Sequence, residues 1–127
     1  MNKILVVDDE PEILEEIHEV ITGLGFECIC AANTSEAFSM LQQHPDLELV
    51  ITDLRLPDQS GLRLLQRLSE GEMGDRQLKV LVTSGHADRD DVIQLFRHGA
   101  VDFLPKPLHY DHLVVQLQRF FPEHQMT

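Results

Sequence analysis

Short apolar segments alternate with longer amphipathic segments five times along the chain. The first, Ile4 to Val7, is an unbroken apolar run bounded by charged residues. Such a run is typical of a strand that is covered on both faces, because neither face then needs polar side chains. The five predicted strands are residues 4–7, 26–31, 47–52, 79–84 and 101–104.

Each predicted strand is followed by a segment in which apolar side chains recur at helical spacing. We expect the second helix to begin with Thr34 or Ser35 as its N-cap and to end just before Pro45. The fourth helix is expected to use Asp88 or Asp90 as its N-cap. The apolar side chains that these patterns assign to the third and fourth helices are Leu62, Leu65, Leu68, Val92, Ile93 and Phe96.

This regular alternation predicts an α/β protein with a doubly wound, five-stranded parallel sheet and five helices. Helices would cover both faces of the sheet, and the strands would be joined by right-handed crossovers. In open sheets of this kind, ligand sites lie beyond the carboxyl ends of the strands. Residues that directly follow each strand are therefore the candidates for function.

Composition narrows the class of protein further. The chain of 127 residues has the length of a single domain, and its formal net charge is −12. Such an acidic chain repels nucleic acid and anionic membranes, so direct binding to either is not expected. Its longest apolar run, Cys28 to Ala32, is too short to span a bilayer, and the amino terminus does not resemble a secretion signal. These features favour a soluble, cytoplasmic protein.

Cys28 and Cys30 lie one residue apart in the second predicted strand, so their side chains share one face. No further cysteine completes a set of metal ligands. We therefore expect two small, buried, reduced side chains.

Polar residues at four strand ends carry the candidate chemistry. Asp8 and Asp9 follow the first strand, Asp53 the third, Ser84 the fourth and Lys106 the fifth. Gathered carboxylates repel one another, and a hard divalent cation such as Mg²⁺ relieves that repulsion. One carboxylate can then attack phosphorus to give an aspartyl phosphate, while a lysine and a hydroxyl hold the phosphoryl oxygens.

The same segments resemble the receiver domains of two-component response regulators. The resemblance covers about residues 2–121 and implies the flavodoxin-like receiver fold, with strand order 2-1-3-4-5. It predicts a receiver domain over residues 1–122 and a C-terminal tail over 123–127. The motifs that carry it are Val6–Pro11, Thr52–Pro57 with Gly61, Thr83–His86 and Phe103–Pro107.

The resemblance implies a role for each of the three acidic residues named at the strand ends. Asp53 matches the phosphoacceptor, Asp9 the direct metal ligand, and Asp8 the acid that usually holds the metal through water. The backbone carbonyl of Arg55 matches the third protein ligand. The expected ion is Mg²⁺, with Mn²⁺ as its substitute.

The remaining matches concern the response to phosphorylation. Ser84 matches the hydroxyl that turns toward the phosphoryl group, and its spacing from Lys106 favours it over Thr83. Lys106 matches the family's lysine, and the Lys106–Pro107 bond is expected to be cis. Phe103 matches the family's rotating aromatic residue, although a plain core role is equally consistent with the sequence.

The implied function is that of a phosphoacceptor and not of a turnover enzyme. A histidine kinase or phosphotransfer protein would donate the phosphoryl group, and the surface formed by the fourth helix, fifth strand and fifth helix would act on an output domain or a downstream protein. One alternative is a phosphohydrolase of the haloacid dehalogenase type with Asp8 as nucleophile. Another is a degenerate receiver that works without phosphorylation.

Overall fold

A computed structural model describes residues 2–74 and 76–126. Within these residues, five strands alternate with five helices in the predicted order. The strands are β1 (Lys3–Val7), β2 (Glu27–Ala31), β3 (Leu47–Asp53), β4 (Lys79–Ser84) and β5 (Asp102–Pro105). The helices are α1 (Pro11–Gly23), α2 (Thr34–Gln43), α3 (Gly61–Ser69), α4 (Arg89–Arg97) and α5 (Tyr110–Phe120).

The strands form one parallel sheet in the order β2-β1-β3-β4-β5, as the resemblance implied. Strand β1 lies between β2 and β3, so Val7 is paired with both Ala31 and Thr52. Asp53 is the last residue of β3 and lies opposite Thr83 of β4. The ends of β1, β3 and β4 therefore meet at one edge of the sheet.

The sheet separates two apolar clusters, because successive side chains of a strand point to opposite faces. On β1, Leu5 and Val7 belong to the cluster beneath α2, α3 and α4, whereas Ile4 and Val6 belong to the cluster beneath α1 and α5. All four of these side chains are buried. This arrangement explains why the strands appear in the sequence as unbroken apolar runs.

The N-cap prediction for α2 was wrong. Asn33 is the N-cap, and its side chain accepts a hydrogen bond from the Glu36 amide at 2.8 Å. Thr34 and Ser35 lie within the first turn, where their amides donate to the two carboxylate oxygens of Asp58, each at 2.9 Å. The loop that follows β3 is thereby attached to the start of α2.

Asp58→Ala is expected to lower the free energy of unfolding by about 1 kcal/mol at neutral pH, the typical effect of losing a helix cap. Desolvation alone would raise the pKa of Asp58, but the backbone N–H groups of Thr34 and Ser35 outweigh it and hold the pKa below its usual value. A lowered pKa stabilises the fold above the unfolded pKa, and this contribution is lost as the pH falls through the folded pKa. The difference from wild type should therefore shrink in acid.

Urea denaturation at neutral and acidic pH measures this effect. Glu123→Ala removes an exposed carboxylate beyond α5 and serves as the matched control. A loss of stability equal in the two variants, or one that does not depend on pH, would contradict a stabilising role of Asp58 at the first turn of α2.

The core faces of α3 and α4 also differ from the prediction. In α4, Asp88 is the N-cap, one of the two residues proposed, but Leu95 is the fully buried side chain. Ile93 and Phe96, which the pattern assigned to the core, are 40% and 48% exposed. In α3, Leu64 and Leu65 are buried, while Leu62 and Leu68 are only partly buried.

Three further observations complete the fold. Cys28 and Cys30 are only partly buried and not fully buried as expected, because β2 is an edge strand. In the C-terminal tail, His124 stacks on Phe26 with ring centroids 3.8 Å apart. None of the helices described combines the length and the apolar character needed to cross a bilayer.

Candidate functional site

Three carboxylates come together at the carboxyl edge of the sheet. Asp8 and Asp9 directly follow β1, and Asp53 ends β3. Each offers an oxygen that lies within 4.8 Å of the other two. Asp8 and Asp53 are buried, whereas Asp9 is exposed. The cluster is therefore open to solvent on the side of Asp9.

Lys106 brings a positive charge to the two buried carboxylates. Its Nζ lies 2.7 Å from Asp8 Oδ2 and 3.2 Å from Asp53 Oδ2. The Lys106 amide donates to the Ser84 carbonyl at 2.9 Å, which fixes the lysine backbone against the end of β4. The Lys106–Pro107 peptide bond is cis, as the resemblance implied.

Burial and charge both act on the acceptor candidate. Burial raises the pKa of Asp53, and the charge of Asp8 raises it further, so that together they outweigh the opposing ammonium of Lys106. For Lys106 itself, burial would lower the pKa, but the hydrogen bond to Asp8 and the charge of Asp53 raise it overall. The ammonium of Lys106 therefore does not fully compensate the charge of Asp53, while the lysine itself stays protonated.

The donor set fits a hard divalent cation. Three carboxylates and one ammonium leave two uncompensated negative charges when all four groups are ionised. Oxygen ligands of this kind suit Mg²⁺, which is usually held by one or two carboxylates together with water and phosphate oxygens. The cluster can therefore hold a metal ion with room for a phosphoryl group beside it.

The loop after β3 is held close to Asp53. The Arg55 amide lies 3.4 Å from Asp53 Oδ1, a long contact, and the Gly61 amide donates to the Leu54 carbonyl at 2.8 Å. Gly61 begins α3 directly against the backbone of Asp53. A Cβ atom at position 61 would clash with the Asp53 carbonyl oxygen and would lie 3.0 Å from Leu54 Cα.

Gly61→Ala is expected to lower the free energy of unfolding by about 1 to 3 kcal/mol, as overpacking does elsewhere. The clash is with backbone atoms, so no side-chain rotation relieves it, and Asp53 should move. Chemical denaturation measures the loss of stability, and the backbone amide signals of Asp53 and Leu54 report the displacement.

Gly23→Ala is the control, because an added Cβ there has no described heavy atom within 4 Å. It should leave the stability unchanged or slightly increased. Equal stabilities of the two alanine variants would show that the contact at Gly61 relaxes freely.

The hydroxyl side chains near the site have separate environments. Thr83 lies opposite Asp53 in the ladder, and Ser84 lies one residue further along β4. Both are buried, and the Ser84 Oγ accepts the His86 amide at 3.1 Å. Neither hydroxyl makes a described hydrogen bond to Asp53. Phe103, on β5 opposite Val82, is partly buried against the cluster beneath α2, α3 and α4.

The structure also places two contacts that the sequence did not indicate. The Asp8–Lys106 pair joins residues 98 positions apart. Arg55 Nη2 lies 3.2 Å from Asp91 Oδ2, in the first turn of α4. The alternating charges near α4 offered no signal for the second contact, because several acidic residues in that turn are equivalent in sequence.

A comparison with protein families matches residues 4–118 to the response regulator receiver domain. Among curated proteins, the chain is 33% identical over 116 residues to the two-component response regulator PprB of Pseudomonas aeruginosa, covering 91% of this chain and 42% of PprB. It is 35% identical over 118 residues to the transcriptional regulatory protein KdpE of Mycobacterium tuberculosis, covering 93% of this chain and 50% of KdpE. The chain thus spans half or less of the length of these relatives.

Solved structures have the same fold. A response regulator receiver domain protein from Clostridium thermocellum is 28% identical and superposes with a TM-score of 0.86, covering 96% of this chain and 95% of that protein. This coverage shows that the fold found for the chain is shared with that receiver domain protein.

Proposed function

Because this chain belongs to the response regulator receiver domain family, we propose that Asp53 is the residue on which it carries a phosphoryl group. Members of this family are signalling domains of two-component systems. The observation that carries the proposal is the meeting of Asp53 with Asp8, Asp9 and Lys106 at one edge of the sheet. This is the set of groups that phosphoryl transfer to a carboxylate requires.

Asp8, Asp9, Asp53 and the backbone carbonyl of Arg55 would hold Mg²⁺, or Mn²⁺ in its place. When bound, the ion supplies positive charge to phosphoryl oxygens and relieves the repulsion among the carboxylates. The exposed position of Asp9 leaves this side of the cluster accessible to ions and to a phosphodonor. The two uncompensated negative charges of the cluster support the assignment.

Asp53 would be the nucleophile. One of its carboxylate oxygens forms a new bond to phosphorus as the bond from phosphorus to the donor breaks, and the donor leaves with its electron pair. With a histidine kinase or phosphotransfer protein as donor, the broken bond is the P–N bond of phosphohistidine. The Lys106 ammonium, 3.2 Å from Asp53 Oδ2, would contact the phosphoryl oxygens and limit charge build-up. The same groups would assist hydrolysis of the product, so the domain catalyses its own phosphorylation and dephosphorylation only.

Ser84 and Phe103 would report the phosphorylated state. The Ser84 hydroxyl now bonds the His86 amide, and turning toward a phosphoryl group at Asp53 would break that contact. Phe103 would then change its packing on β5. The surface of α4, β5 and α5 would pass the change to an output domain or a downstream protein.

The alternative functions receive less support. Asp8 as the nucleophile of a phosphohydrolase is disfavoured because its carboxylate lies closer to the Lys106 ammonium than that of Asp53 does, at 2.7 Å against 3.2 Å. The other oxygen of Asp8 accepts the Glu10 amide. A degenerate receiver is disfavoured because the acidic cluster and the lysine come together in the structure. The family match favours neither alternative.

Incubation with acetyl phosphate and Mg²⁺, followed by intact mass spectrometry, tests the proposal. A mass increase of one phosphoryl group that maps to Asp53 is the expected result. Sustained release of phosphate that depends on Asp8 and not on Asp53 would identify a phosphohydrolase instead. Absence of both an adduct and an effect of beryllium fluoride on the amide spectrum would identify a degenerate receiver.

A further inference from the structure

The side chain of Arg55 leads away from the acidic cluster to the start of α4. Its amide lies 3.4 Å from Asp53 Oδ1, while its Nη2 lies 3.2 Å from Asp91 Oδ2. The Arg55 side chain is 61% exposed, so packing does not hold the guanidinium in place. A single residue therefore joins the acceptor candidate, at its backbone, to α4, at its side chain.

The Asp91 carboxylate also takes part in the cap of α4. Asp88 Oδ1 accepts the Asp91 amide at 2.8 Å, and Asp91 Oδ2 accepts the Asp88 amide at 3.2 Å, which together form a capping box. The oxygen that accepts the Asp88 amide is the one that meets Arg55. Asp91 Oδ2 thus accepts from two donors. If the Arg55 guanidinium leaves, this oxygen contacts only the Asp88 amide of the helix cap.

Phosphorylation would offer Arg55 a stronger partner. A phosphoryl group on Asp53 places new negative charge two residues from Arg55, and guanidinium binds phosphate through two parallel hydrogen bonds. The contact with Asp91 is a single one on the surface, and such pairs contribute little to stability. The exposed guanidinium is thus free to leave Asp91, and the backbone that carries it already contacts Asp53.

We propose that Arg55 exchanges Asp91 for the phosphoryl group when Asp53 is phosphorylated, and that this exchange alters the capped start of α4. The inference rests on the proposed function and adds to it a route from Asp53 to α4. That route runs through the loop after β3 and does not require movement of Ser84 or Phe103.

The exchange predicts that Asp91 affects how tightly the domain binds a phosphoryl mimic. If Arg55 must leave Asp91 to meet the phosphoryl group, the Asp91 carboxylate competes with that group. Removing the charge of Asp91 should therefore tighten the binding of a phosphoryl mimic by about two- to fivefold, which corresponds to a surface ion pair. The effect should vanish when residue 55 carries no positive charge.

Beryllium fluoride titrations in the presence of Mg²⁺ test the exchange in wild type, Asp91→Asn, Arg55→Gln and the double variant. The chain has no Trp, so backbone amide NMR signals serve as the readout. Asp91→Asn keeps a side-chain oxygen for the Asp88 amide, so the helix cap is retained. We expect tighter binding in Asp91→Asn than in wild type, and equal binding in Arg55→Gln and the double variant.

The amide signals of Asp88 and Asp91 provide a second readout. They should shift on addition of beryllium fluoride to wild type and shift less in Arg55→Gln, a substitution that leaves the capping box intact. Asp90→Asn removes the same charge from the same turn, and no described contact joins Asp90 to Arg55. Its affinity should equal that of wild type.

Equal affinities of Asp90→Asn and Asp91→Asn would overturn the exchange, because a general charge effect would then account for both. An effect of Asp91→Asn that persists in Arg55→Gln would overturn it as well. Either result, with normal binding to wild type, leaves the proposed function standing. Failure of wild type to bind beryllium fluoride or to form the phosphoryl adduct removes the proposed function, and the exchange with it.

Discussion

Asp53→Asn is expected to abolish the phosphoryl adduct formed with acetyl phosphate while raising the stability of the fold in metal-free buffer. A carboxamide is a poor nucleophile toward phosphorus, so the reaction loses its acceptor. Burial and the charge of Asp8 raise the pKa of Asp53, which means that its ionised form opposes folding. Such a group stabilises the fold below its unfolded pKa, and this contribution is lost as the pH rises through the folded pKa.

Intact mass spectrometry and urea denaturation in the presence of a chelator measure the two effects. The gain in stability should be present at neutral pH and shrink in acid, where Asp53 of the wild type becomes protonated. Asp58→Asn, in the same loop but outside the acidic cluster, should retain the adduct. Full phosphorylation of the Asp53→Asn variant would show that a different residue accepts the phosphoryl group.

Lys106→Met is expected to lower the stability of the fold by a large amount, the opposite of the effect of Asp53→Asn. Lys106 is the only ammonium within 4 Å of Asp8 or Asp53 among the described residues, and its side chain is only 13% exposed. Removing one partner of a buried ion pair leaves an uncompensated charge and typically lowers the free energy of unfolding by about 3 to 5 kcal/mol. Methionine keeps the length of the lysine stem, so packing is largely preserved.

The stability of this variant should depend on pH through Asp53. The pKa of Asp53 is already raised, and it should rise further when the Lys106 ammonium is removed. Protonation then relieves the repulsion, so the deficit in stability should decrease as the pH falls. Transfer from acetyl phosphate should slow roughly a hundredfold, as is usual when one electrostatic partner of a transition state is lost.

Lys79→Met removes an exposed lysine from β4 and should change stability by no more than about 0.5 kcal/mol. Rates of adduct formation in this control should match those of wild type. Equal denaturation midpoints for Lys106→Met and Lys79→Met at neutral pH would show that Lys106 does not compensate the buried carboxylates.

The fold could be predicted because its main signals are local. Unbroken apolar runs such as Ile4–Val7 mark strands covered on both faces, and their alternation with helices fixes a parallel sheet. The contact of Asp58 with the first turn of α2 could not be predicted, because it joins residues 24 positions apart. In α4 the apolar side chains exceed what the core uses, and Leu95 is buried instead of Phe96. Only the packing of α4 against its neighbours decides which of them faces inward.

The sequence could predict which strand ends contribute residues to the site. Parallel strands bring their carboxyl ends to one edge, which is enough to place Asp8, Asp9 and Asp53 together. The pairing of Lys106 with Asp8, closer than that with Asp53, depends on side-chain reach between distant segments and has no local signal. The choice of Ser84 as the responding hydroxyl stays a prediction.

The separation of the core by the sheet has a consequence for how sequences of this kind can diverge. Leu41 of α2 and Ile21 of α1 are both fully buried, but they belong to separate clusters on opposite faces of the sheet. Substitutions at distant sites without shared contacts usually have additive effects on stability. Mutational drift on the face that supports α4 is therefore largely independent of drift on the face that supports α1 and α5. Substitutions on the α4 side of the sheet can therefore accumulate while the packing against α1 and α5 stays unchanged.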